Sequence, residues 1–353
     1  MKNSWQQLTN IEKLASVQTV ASVKKIDERA VEKDWWVTVV LKALYSTPIA
    51  KYLNFKGGTS LSKGWNLINR FSEDIDLSIS RQFFFYELGK TFAKAENNNQ
   101  LKNLRKTSRD YVHDVLSSYL EKILTSMGVT GFRVKNHTHE DSPDGPKTIS
   151  HDSDPTVIFV EYDSIFPQYG GDIKPRIKIE ISCLSMDEPF EESTLNTMLR
   201  EQSLINPDFP VIDEEIEVAA RIVTPTRTFL EKIFLLSEEL QKEKPRSRRM
   251  SRHLYDIERI MNTGFGEEAL RETKLYLDIV KHREKFYHLG YVDYDKNLPD
   301  KISFVPKGAV LDEFRRDYEE NMVNGYIYDD AVPFDMLISR LEELQENIRA
   351  IKL

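Results

Sequence analysis

The first part of the chain carries apolar residues at the three- and four-residue spacing of amphipathic helices. We expect helical structure from about Trp5 to Leu44, and its second half has an apolar stripe wide enough for a buried helix. That half begins with three charged residues, Glu32, Lys33 and Asp34. The pattern predicts a helical N-terminal segment over residues 1–48.

The character of the sequence changes after this segment. Tyr52 to Phe55 is a short apolar run typical of a strand, and Gly57-Gly58 interrupts it. Helical spacing then resumes from Ser60 to Ile68. The order of these features predicts a strand, a glycine turn and a helix.

Strict alternation of polar and apolar residues follows from Phe71 to Ser80. It places Asp74 and Asp76 on one face of a predicted strand, with serines beside them, and isoleucine and leucine on the other. Both carboxylates are therefore expected to project together. A solvated face of an edge strand is the alternative interpretation of the same alternation.

Helical spacing returns from Phe83 to Met127, and the polar stretch His137 to Asp154 is predicted to be an exposed loop. Thr224-Pro225 is typical of a helix start, and mostly helical sequence follows it. Further strands are predicted at Thr156 to Asp163, Arg176 to Ser182 and Glu217 to Val223. The predicted fold class is α+β: a small mixed sheet with helices at residues 49–224 and a helical C-terminal domain at residues 225–353.

Composition narrows the class of protein. The 353 residues are 40% hydrophobic and 30% charged, which predicts a globular chain with more than one structural unit. Cys183 is the single cysteine, so an intramolecular disulfide and a thiolate metal cluster are excluded, and a reducing compartment is expected. Charges scattered through Met1 to Glu32 and the lack of a long apolar run predict no signal peptide or membrane span, and a cytoplasmic location.

The charge balance bears on nucleic acid. A net charge of −8 argues against indiscriminate binding to phosphates. The segment from Lys242 to Arg252, KEKPRSRRMSR, is nevertheless rich in cations and has one acidic residue. Such a run is either a contact for a polyanion or a solvated basic loop, and its composition alone does not decide between them.

The turn and the alternating strand together offer the parts that nucleotidyl transfer needs. Gly57 and Gly58 let a backbone approach phosphate closely, and Thr59 and Ser60 add hydroxyls at the start of the predicted helix. A D-x-D pair on a strand can reach one hard cation such as Mg²⁺. Neither feature alone specifies the chemistry, but their succession puts a phosphate loop beside metal ligands.

The run from Lys56-GGTSLSKGW to Arg70-FSEDIDLSI resembles the first motif of polymerase-β-like nucleotidyltransferases. Within that superfamily it is most similar to the AbiEii/AbiGii toxin group of abortive-infection and toxin–antitoxin systems. Four further segments resemble the group's signatures in the same order, so that the resemblance spans roughly Glu32 to Ile260: Glu32-KDWWV, Arg176-IKIEIS, Thr228-FLEKI and Arg252-HLYDI.

This resemblance implies roles for individual residues. Asp74 and Asp76 match the metal-binding pair, and Glu180 occupies the acidic position of the third strand, as a metal ligand or as the group that activates the acceptor hydroxyl. Lys232 matches a helix lysine that approaches the donor phosphates, and Asp256 matches an acidic residue of the last motif. The implied nucleotide-binding set is Gly57, Gly58, Thr59, Ser60, Lys63 and Lys232.

The resemblance also implies a reaction and partners. A nucleoside triphosphate would donate a nucleotide, with two Mg²⁺ ions, to an acceptor that the family suggests is the 3′ end of tRNA, and a nearby gene would encode an antitoxin. Two alternatives stay open: the same chemistry on a protein hydroxyl or a small molecule such as an aminoglycoside, and a catalytically silent interaction protein. Surface positions would explain Glu180, beside Lys178, and Lys232 without any catalysis.

Overall fold

The computed structural model describes residues 4–142, 145–166, 173–186, 189–211, 213 and 216–352. The chain forms two compact units, which we describe separately. Unit 1 comprises Met1–Gly64 and Ser72–Ile222, and unit 2 comprises Trp65–Phe71 and Val223–Leu353. The short piece of unit 2 between Gly64 and Ser72 therefore interrupts the segment that carries the glycine turn and the D-x-D pair.

The N-terminal helices belong to unit 1, as α1 (Asn10–Lys24) and α2 (Glu28–Tyr45). Helix α1 begins at Thr9, whose hydroxyl accepts from the Glu12 amide while the Glu12 carboxylate accepts from the Thr9 amide. It ends where Lys25 adopts a left-handed conformation. The stretch expected to be helical, from about Trp5 to Leu44, thus contains two helices with one break between them.

Helix α2 is buried along most of its length, which agrees with its wide apolar stripe. It packs against α1 and against the sheet of unit 1. The described residues of unit 1 also form 3-10 turns at Trp5–Gln7, Ala50–Tyr52 and Thr91–Lys94, a helical turn at Gly57–Thr59 and π turns at Ser60–Gly64, Phe83–Glu87 and Tyr111–Leu116. Its further helices are α3 (Asn98–Asp110), α4 (Ser117–Ser126) and α5 (Met198–Ile205).

Among the described residues, seven strands form one mixed sheet in the order β3-β6-β7-β2-β1-β9-β8. Strands β4 and β5 form a separate hairpin. The strands are β1 (Leu53–Lys56), β2 (Ile75–Ile79), β3 (Phe132–Asn136), β4 (His139–Glu140), β5 (Lys147–Thr148), β6 (Thr156–Tyr162), β7 (Arg176–Ser182), β8 (Phe190–Leu195) and β9 (Val218–Val223).

One face of this sheet forms the core of unit 1. The isoleucines of β7, at 177, 179 and 181, are fully buried, as are Ile75, Leu77 and Ile79 of β2. Successive side chains of a strand point to opposite faces of the sheet, and residues directly opposite each other on paired strands share a face. The residues between these buried positions in β2 and β7 therefore lie together on the other, more polar face. The predicted mixed sheet with helices is confirmed.

Two of the predicted elements differ clearly from the structure. The helix expected from Ser60 to Ile68 is a helical turn, Gly57–Thr59, followed by a π turn, Ser60–Gly64, and it ends there. The next residue, Trp65, belongs to unit 2, where its ring contacts Phe265 and its indole N–H donates to the Val223 carbonyl at 3.0 Å. The stretch from His137 to Asp154 contains the β4–β5 hairpin and is not entirely loop.

Unit 2 contains the helical C-terminal region. Helix α6 begins with Pro225 directly after Thr224, as the sequence predicts. The helices are α6 (Pro225–Glu239), α7 (Ser251–Met261), α8 (Gly264–Arg271), α9 (Thr273–Phe286), α10 (Ala309–Asp317) and α11 (Phe334–Arg349), with 3-10 turns Tyr294–Asn297 and Pro299–Lys301 and a π turn Tyr318–Tyr326. No helix in the described ranges is long and apolar enough to cross a membrane.

Candidate active site

The D-x-D pair lies at the centre of the sheet of unit 1. Strand β2 runs between β7 and β1, so the edge-strand interpretation of this alternation is wrong. Asp76 is directly opposite Glu180 of β7 and opposite Lys56 of β1, so these three residues share the polar face. Asp74 precedes the first residue of β2, two positions before Asp76, and is partly exposed.

Gly57 and Asp76 fit closely together. Gly57 has a φ of +79°, a conformation that side-chain-bearing residues rarely adopt, and it directly follows β1. A Cβ atom built on Gly57 would lie 1.9 Å from Oδ2 of Asp76 and 2.7 Å from its Cγ. The first glycine of the turn is therefore required by both its backbone conformation and the space that the carboxylate occupies.

The two hydroxyl residues of the turn connect it to the strand that follows. The Thr59 hydroxyl donates to the backbone carbonyl of Asp74 at 2.6 Å and lies 2.9 Å from the Ser72 hydroxyl. The Ser60 hydroxyl donates to the Gly57 carbonyl at 2.9 Å. Both residues are buried, whereas Gly57 and Gly58 are partly exposed. The contacts fix the position of the glycine turn relative to Asp74.

Lys63, the cation of this segment, is buried in an ion pair with Asp34 of α2. Asp34 also accepts from the backbone amide of Met198, at the start of α5. The neighbouring Glu32 accepts from the Ser164 hydroxyl and the Ile165 amide, each at 2.7 Å. The charged start of α2 therefore anchors loops of unit 1, a role that the helical pattern by itself did not indicate.

Lys33, the middle residue of the charged triplet Glu32-Lys33-Asp34, makes a contact that the sequence did not predict. Lys33 is buried, pairs with the carboxylate of Glu73 and donates to the Lys174 carbonyl at 2.9 Å. Burial lowers the pKa of Lys33, and the charges of Glu73 and Asp74 partly oppose this. Charged residues within an otherwise buried helix were the available signal, because such residues need buried partners.

The Lys33 contact distinguishes the three carboxylates of the Glu73-Asp74-Ile75-Asp76 run. Glu73 is committed to Lys33, and Asp76 lies on the polar face of the sheet with Asp74 two residues before it. The pair predicted from alternation, Asp74 and Asp76, is thus distinct from the carboxylate that pairs with Lys33.

Glu180 of β7 has a partner on its own strand. Its carboxylate forms an ion pair with Lys178, two residues earlier, and both side chains are partly exposed. The Lys178–Glu180 ion pair that a purely structural role for Glu180 would require is therefore present. It lies on an internal strand, however, and Glu180 is directly opposite Asp76.

No group of three or more histidine, cysteine, aspartate or glutamate side chains in the described part of the chain is arranged to hold a metal by itself. Mg²⁺ commonly binds one or two carboxylates and takes its other ligands from water and substrate phosphates. Asp74 and Asp76 supply oxygen donors of this kind, and Gly57 leaves the space for one of them. These residues fit a metal that a bound triphosphate helps to hold.

Lys232 and Asp256 lie in unit 2, where they form one buried cluster with Arg70. The Arg70 guanidinium donates to both carboxylate oxygens of Asp256, at 2.6 and 2.7 Å, and Lys232 lies 2.8 Å from the same carboxylate. Asp256 is fully buried. Burial alone would raise the pKa of Asp256, but the two cations hold it below its usual range.

Two neighbours of this cluster are also notable. His253 is buried, its Nδ1 has no hydrogen-bond partner, and burial together with Lys232 and Arg252 lowers its pKa well below the usual value. The basic run from Lys242 to Arg252 lies mainly between α6 and α7, and its residues Lys244, Arg246, Arg248 and Arg249 are exposed. Lys242 and Arg246 both pair with Glu239, so part of the charge of the run is neutralised locally.

Cys183 is buried and is not part of a disulfide, as expected for a core residue. Burial raises the pKa of its thiol, and the nearby Asp154 carboxylate acts in the same direction. A thiol of this kind is a poor nucleophile.

Comparison with known families agrees with this geometry. The family model described as "Nucleotidyl transferase AbiEii toxin, Type IV TA system" matches residues 39–340, which is most of the chain. The match includes the glycine turn, the D-x-D strand, Glu180, Lys232 and Asp256, and begins after the charged start of α2. A comparison with curated proteins found none that matches. The chain therefore belongs to the AbiEii family of nucleotidyltransferase toxins of toxin–antitoxin systems.

Proposed function

We propose that this protein transfers a nucleoside monophosphate from a nucleoside triphosphate to an acceptor hydroxyl, most specifically at the 3′ end of tRNA, with Mg²⁺ as the cofactor. The observation that carries the proposal is the placement of Asp76 directly opposite Glu180 on the polar face of the sheet, with the Gly57 turn against Asp76. Family membership supplies the reaction class.

On the donor side, Asp74 and Asp76 would hold two Mg²⁺ ions together with the triphosphate. Bound there, the metal neutralises phosphate charge and favours attack on the α-phosphate. Gly57 and Gly58, partly exposed, admit phosphate oxygens to the backbone, whereas the buried Thr59 and Ser60 hold the turn in place.

Lys63 contributes through its buried pair with Asp34, which fixes the end of the same turn. We propose that Thr59, Ser60 and Lys63 belong to the nucleotide-binding set because their contacts hold the glycine turn in place. Their contacts support a positioning role for the turn that receives the triphosphate.

On the acceptor side, the attacking hydroxyl oxygen forms a bond to the α-phosphorus as the bond to the bridging oxygen of pyrophosphate breaks. The hydroxyl proton leaves during this step. Glu180 is the carboxylate next to Asp76, so we propose that it receives this proton or completes the metal ligands. Lys178 orients the Glu180 carboxylate through their ion pair.

In unit 2, we propose that Asp256 positions Lys232, the lysine that the family resemblance assigns to the donor phosphates. Asp256 fits the positioning role because all the contacts of its carboxylate that we describe are with Arg70 and Lys232. The basic run from Lys242 to Arg252 is proposed to contact RNA, since its exposed cations exceed the charge that Glu239 neutralises.

The toxin family also implies regulation by an antitoxin encoded nearby. We propose that the transfer reaction inhibits growth when the antitoxin is absent. Expression of the chain alone should therefore slow growth, and co-expression with the product of the neighbouring gene should restore it.

The direct test is incubation of the purified protein with total RNA, Mg²⁺ and each of the four α-labelled nucleoside triphosphates. We expect label on RNA of tRNA size, and loss of labelling in Asp76→Asn, which keeps the shape of the side chain but removes its charge. Asp110→Asn, which changes an exposed carboxylate of the same unit, is the matched control. It should label RNA like the wild type.

Three results would contradict parts of this proposal. Label on protein or on a small molecule would replace the RNA acceptor while keeping the chemistry. Wild-type labelling by a folded Asp76→Asn would refute the metal-binding assignment. No label with any donor would refute transfer under these conditions and favour a silent interaction protein.

A further inference from the structure

The polar face that carries Asp76 and Glu180 continues from β7 across β6 to β3, at the edge of the sheet. Lys178 is directly opposite Phe159 of β6, and Phe159 is directly opposite Lys135 of β3. Two residues further along β6, Glu161 is directly opposite Arg176 of β7 on one side and Arg133 of β3 on the other. Because opposite residues share a face, all of these side chains lie on the face of the carboxylates.

We define the cationic strip as Arg133, Lys135, Phe159, Arg176 and Lys178. Its cations differ in exposure: the side chains of Arg133 and Lys135 are 61% and 55% exposed, that of Lys178 is 36% exposed, and Arg176 is partly exposed. Its four cations lie on β3 and β7, with Phe159 of β6 between them, in a protein whose net charge is −8. Three of them are in ion pairs, Arg133 with Asp163, Lys135 with Glu161 and Lys178 with Glu180. A nucleic-acid phosphate that binds here would exchange with these carboxylates.

The strip also has a flat surface at its centre. The Arg176 guanidinium lies over the Phe159 ring, 4.4 Å from its centroid, and His137 meets the edge of the same ring. Guanidinium and aromatic planes are the groups on which unpaired bases stack. Burial, followed by the charges of Lys178 and Arg176, lowers the pKa of His137, which agrees with a positive potential at this position.

We propose that the cationic strip binds the single-stranded end of the acceptor nucleic acid and leads its terminal hydroxyl to Asp76 and Glu180. This inference rests on the proposed nucleotidyl transfer, and it adds the surface and the strand path that the acceptor uses. Single-stranded nucleic acid is the occupant that matches alternating cations and a stacking plane.

The dimensions of the strip agree with this occupant. Neighbouring strands are about 4.8 Å apart, so the path from β2 across β7 and β6 to β3 is about 14 Å long. A stacked strand advances about 3.4 Å per nucleotide, so the path accommodates about four nucleotides. An unpaired RNA end of about four nucleotides would span it.

Two measurements test the strip, the KM for RNA in the transfer reaction and the binding of a 5′-labelled single-stranded RNA of about eight nucleotides by fluorescence anisotropy at several salt concentrations. The variant is Arg133→Gln/Lys135→Gln. The control is Lys24→Gln/Lys51→Gln, which removes two other ion-paired cations of unit 1 outside the strip.

We expect the strip variant to raise the KM for RNA several-fold while the KM for the nucleoside triphosphate and the melting temperature stay unchanged. The slope of log affinity against log salt should become shallower by about 1.4, because each lost phosphate contact on a single strand removes about 0.7. The charge reversal Lys135→Glu should weaken RNA binding further.

Equal RNA affinity and an equal salt slope in the strip variant and the wild type would overturn the proposal. So would an effect of the same size in the Lys24→Gln/Lys51→Gln control. If the wild-type protein labels RNA but these results are found, the strip is refuted and nucleotidyl transfer stands. If the wild type transfers nucleotide only to protein, the RNA acceptor and the strip are both refuted.

Discussion

Replacing Gly57 by alanine tests the close fit between the glycine turn and Asp76. The new Cβ would lie 1.9 Å from Asp76 Oδ2, whereas real Cβ contacts are essentially never shorter than 3.0 Å. Rotating the carboxylate does not relieve the clash, because the Cγ and Cβ atoms of Asp76 are also too close, at 2.7 and 2.9 Å. The Asp76 side chain or the turn must therefore move by roughly 1 Å, and a displacement of that size costs on the order of 100-fold in rate at an active site.

Gly57→Ala also forces alanine into a left-handed conformation, which costs about 1–2 kcal/mol. The control for this backbone effect is Gly128→Ala, since Gly128 has a φ of +76° and its Cβ would meet nothing within 4 Å. Both variants should lower the melting temperature by about 2–4 °C for each kcal/mol lost. The measured quantity is the single-turnover rate of label transfer from an α-labelled nucleoside triphosphate.

We expect Gly57→Ala to lose about two orders of magnitude in rate, equivalent to about 2.7 kcal/mol of transition-state stabilisation. Gly128→Ala should keep its rate. A Gly57→Ala protein that is folded and as active as Gly128→Ala would refute the inference that Gly57 is needed to place Asp76.

Three further predictions concern buried charges. Lys33→Met should lower the free energy of unfolding by roughly 3 kcal/mol, because it leaves the Glu73 carboxylate without its partner, and Lys33→Met/Glu73→Gln should recover much of the loss. Asp256→Asn should lower it by roughly 3–5 kcal/mol, because Arg70 and Lys232 stay buried without a counter-charge. Below about pH 6.5, His253 binds a proton in the unfolded chain but not in the folded protein, where its pKa is lowered. The free energy of unfolding should therefore fall by up to about 1.4 kcal/mol for each pH unit of acidification, until the pH reaches the folded-state pKa of His253.

Urea denaturation measures all three effects, and each has its own control. If Lys33→Met/Glu73→Gln is no more stable than Lys33→Met, the ion pair is not the cause of the loss. Asp278→Asn removes a surface ion pair and should change stability by about 1 kcal/mol or less; an equal loss in Asp256→Asn would contradict the buried cluster. His253→Asn should flatten the decline with acid relative to wild type, whereas the exposed His139→Ala should not.

The local sequence was sufficient for the elements whose periodicity is strong. Strands β6, β7 and β9 lie close to their predicted bounds, α6 begins at the predicted residue, and α1 and α2 lie within the stretch predicted to be helical, because apolar spacing decides which face of each is buried. Strand β8, Phe190–Leu195, was missed because its sequence FEESTL is mostly polar and does not alternate between apolar and polar residues. The early end of the helix at Gly64 was also not predictable, since contacts of Trp65 in unit 2 decide it.

The candidate site divides in the same way. The sequence alone determined that Asp74 and Asp76 share a face and follow a glycine turn, because two-residue periodicity is a local property of a strand. Only the tertiary structure decided that β2 is a central strand, that Glu180 is directly opposite Asp76, and that Glu73 belongs to Lys33. These facts depend on which distant segments meet, and the spacing of nearby residues does not identify the partner of a strand or of a buried charge.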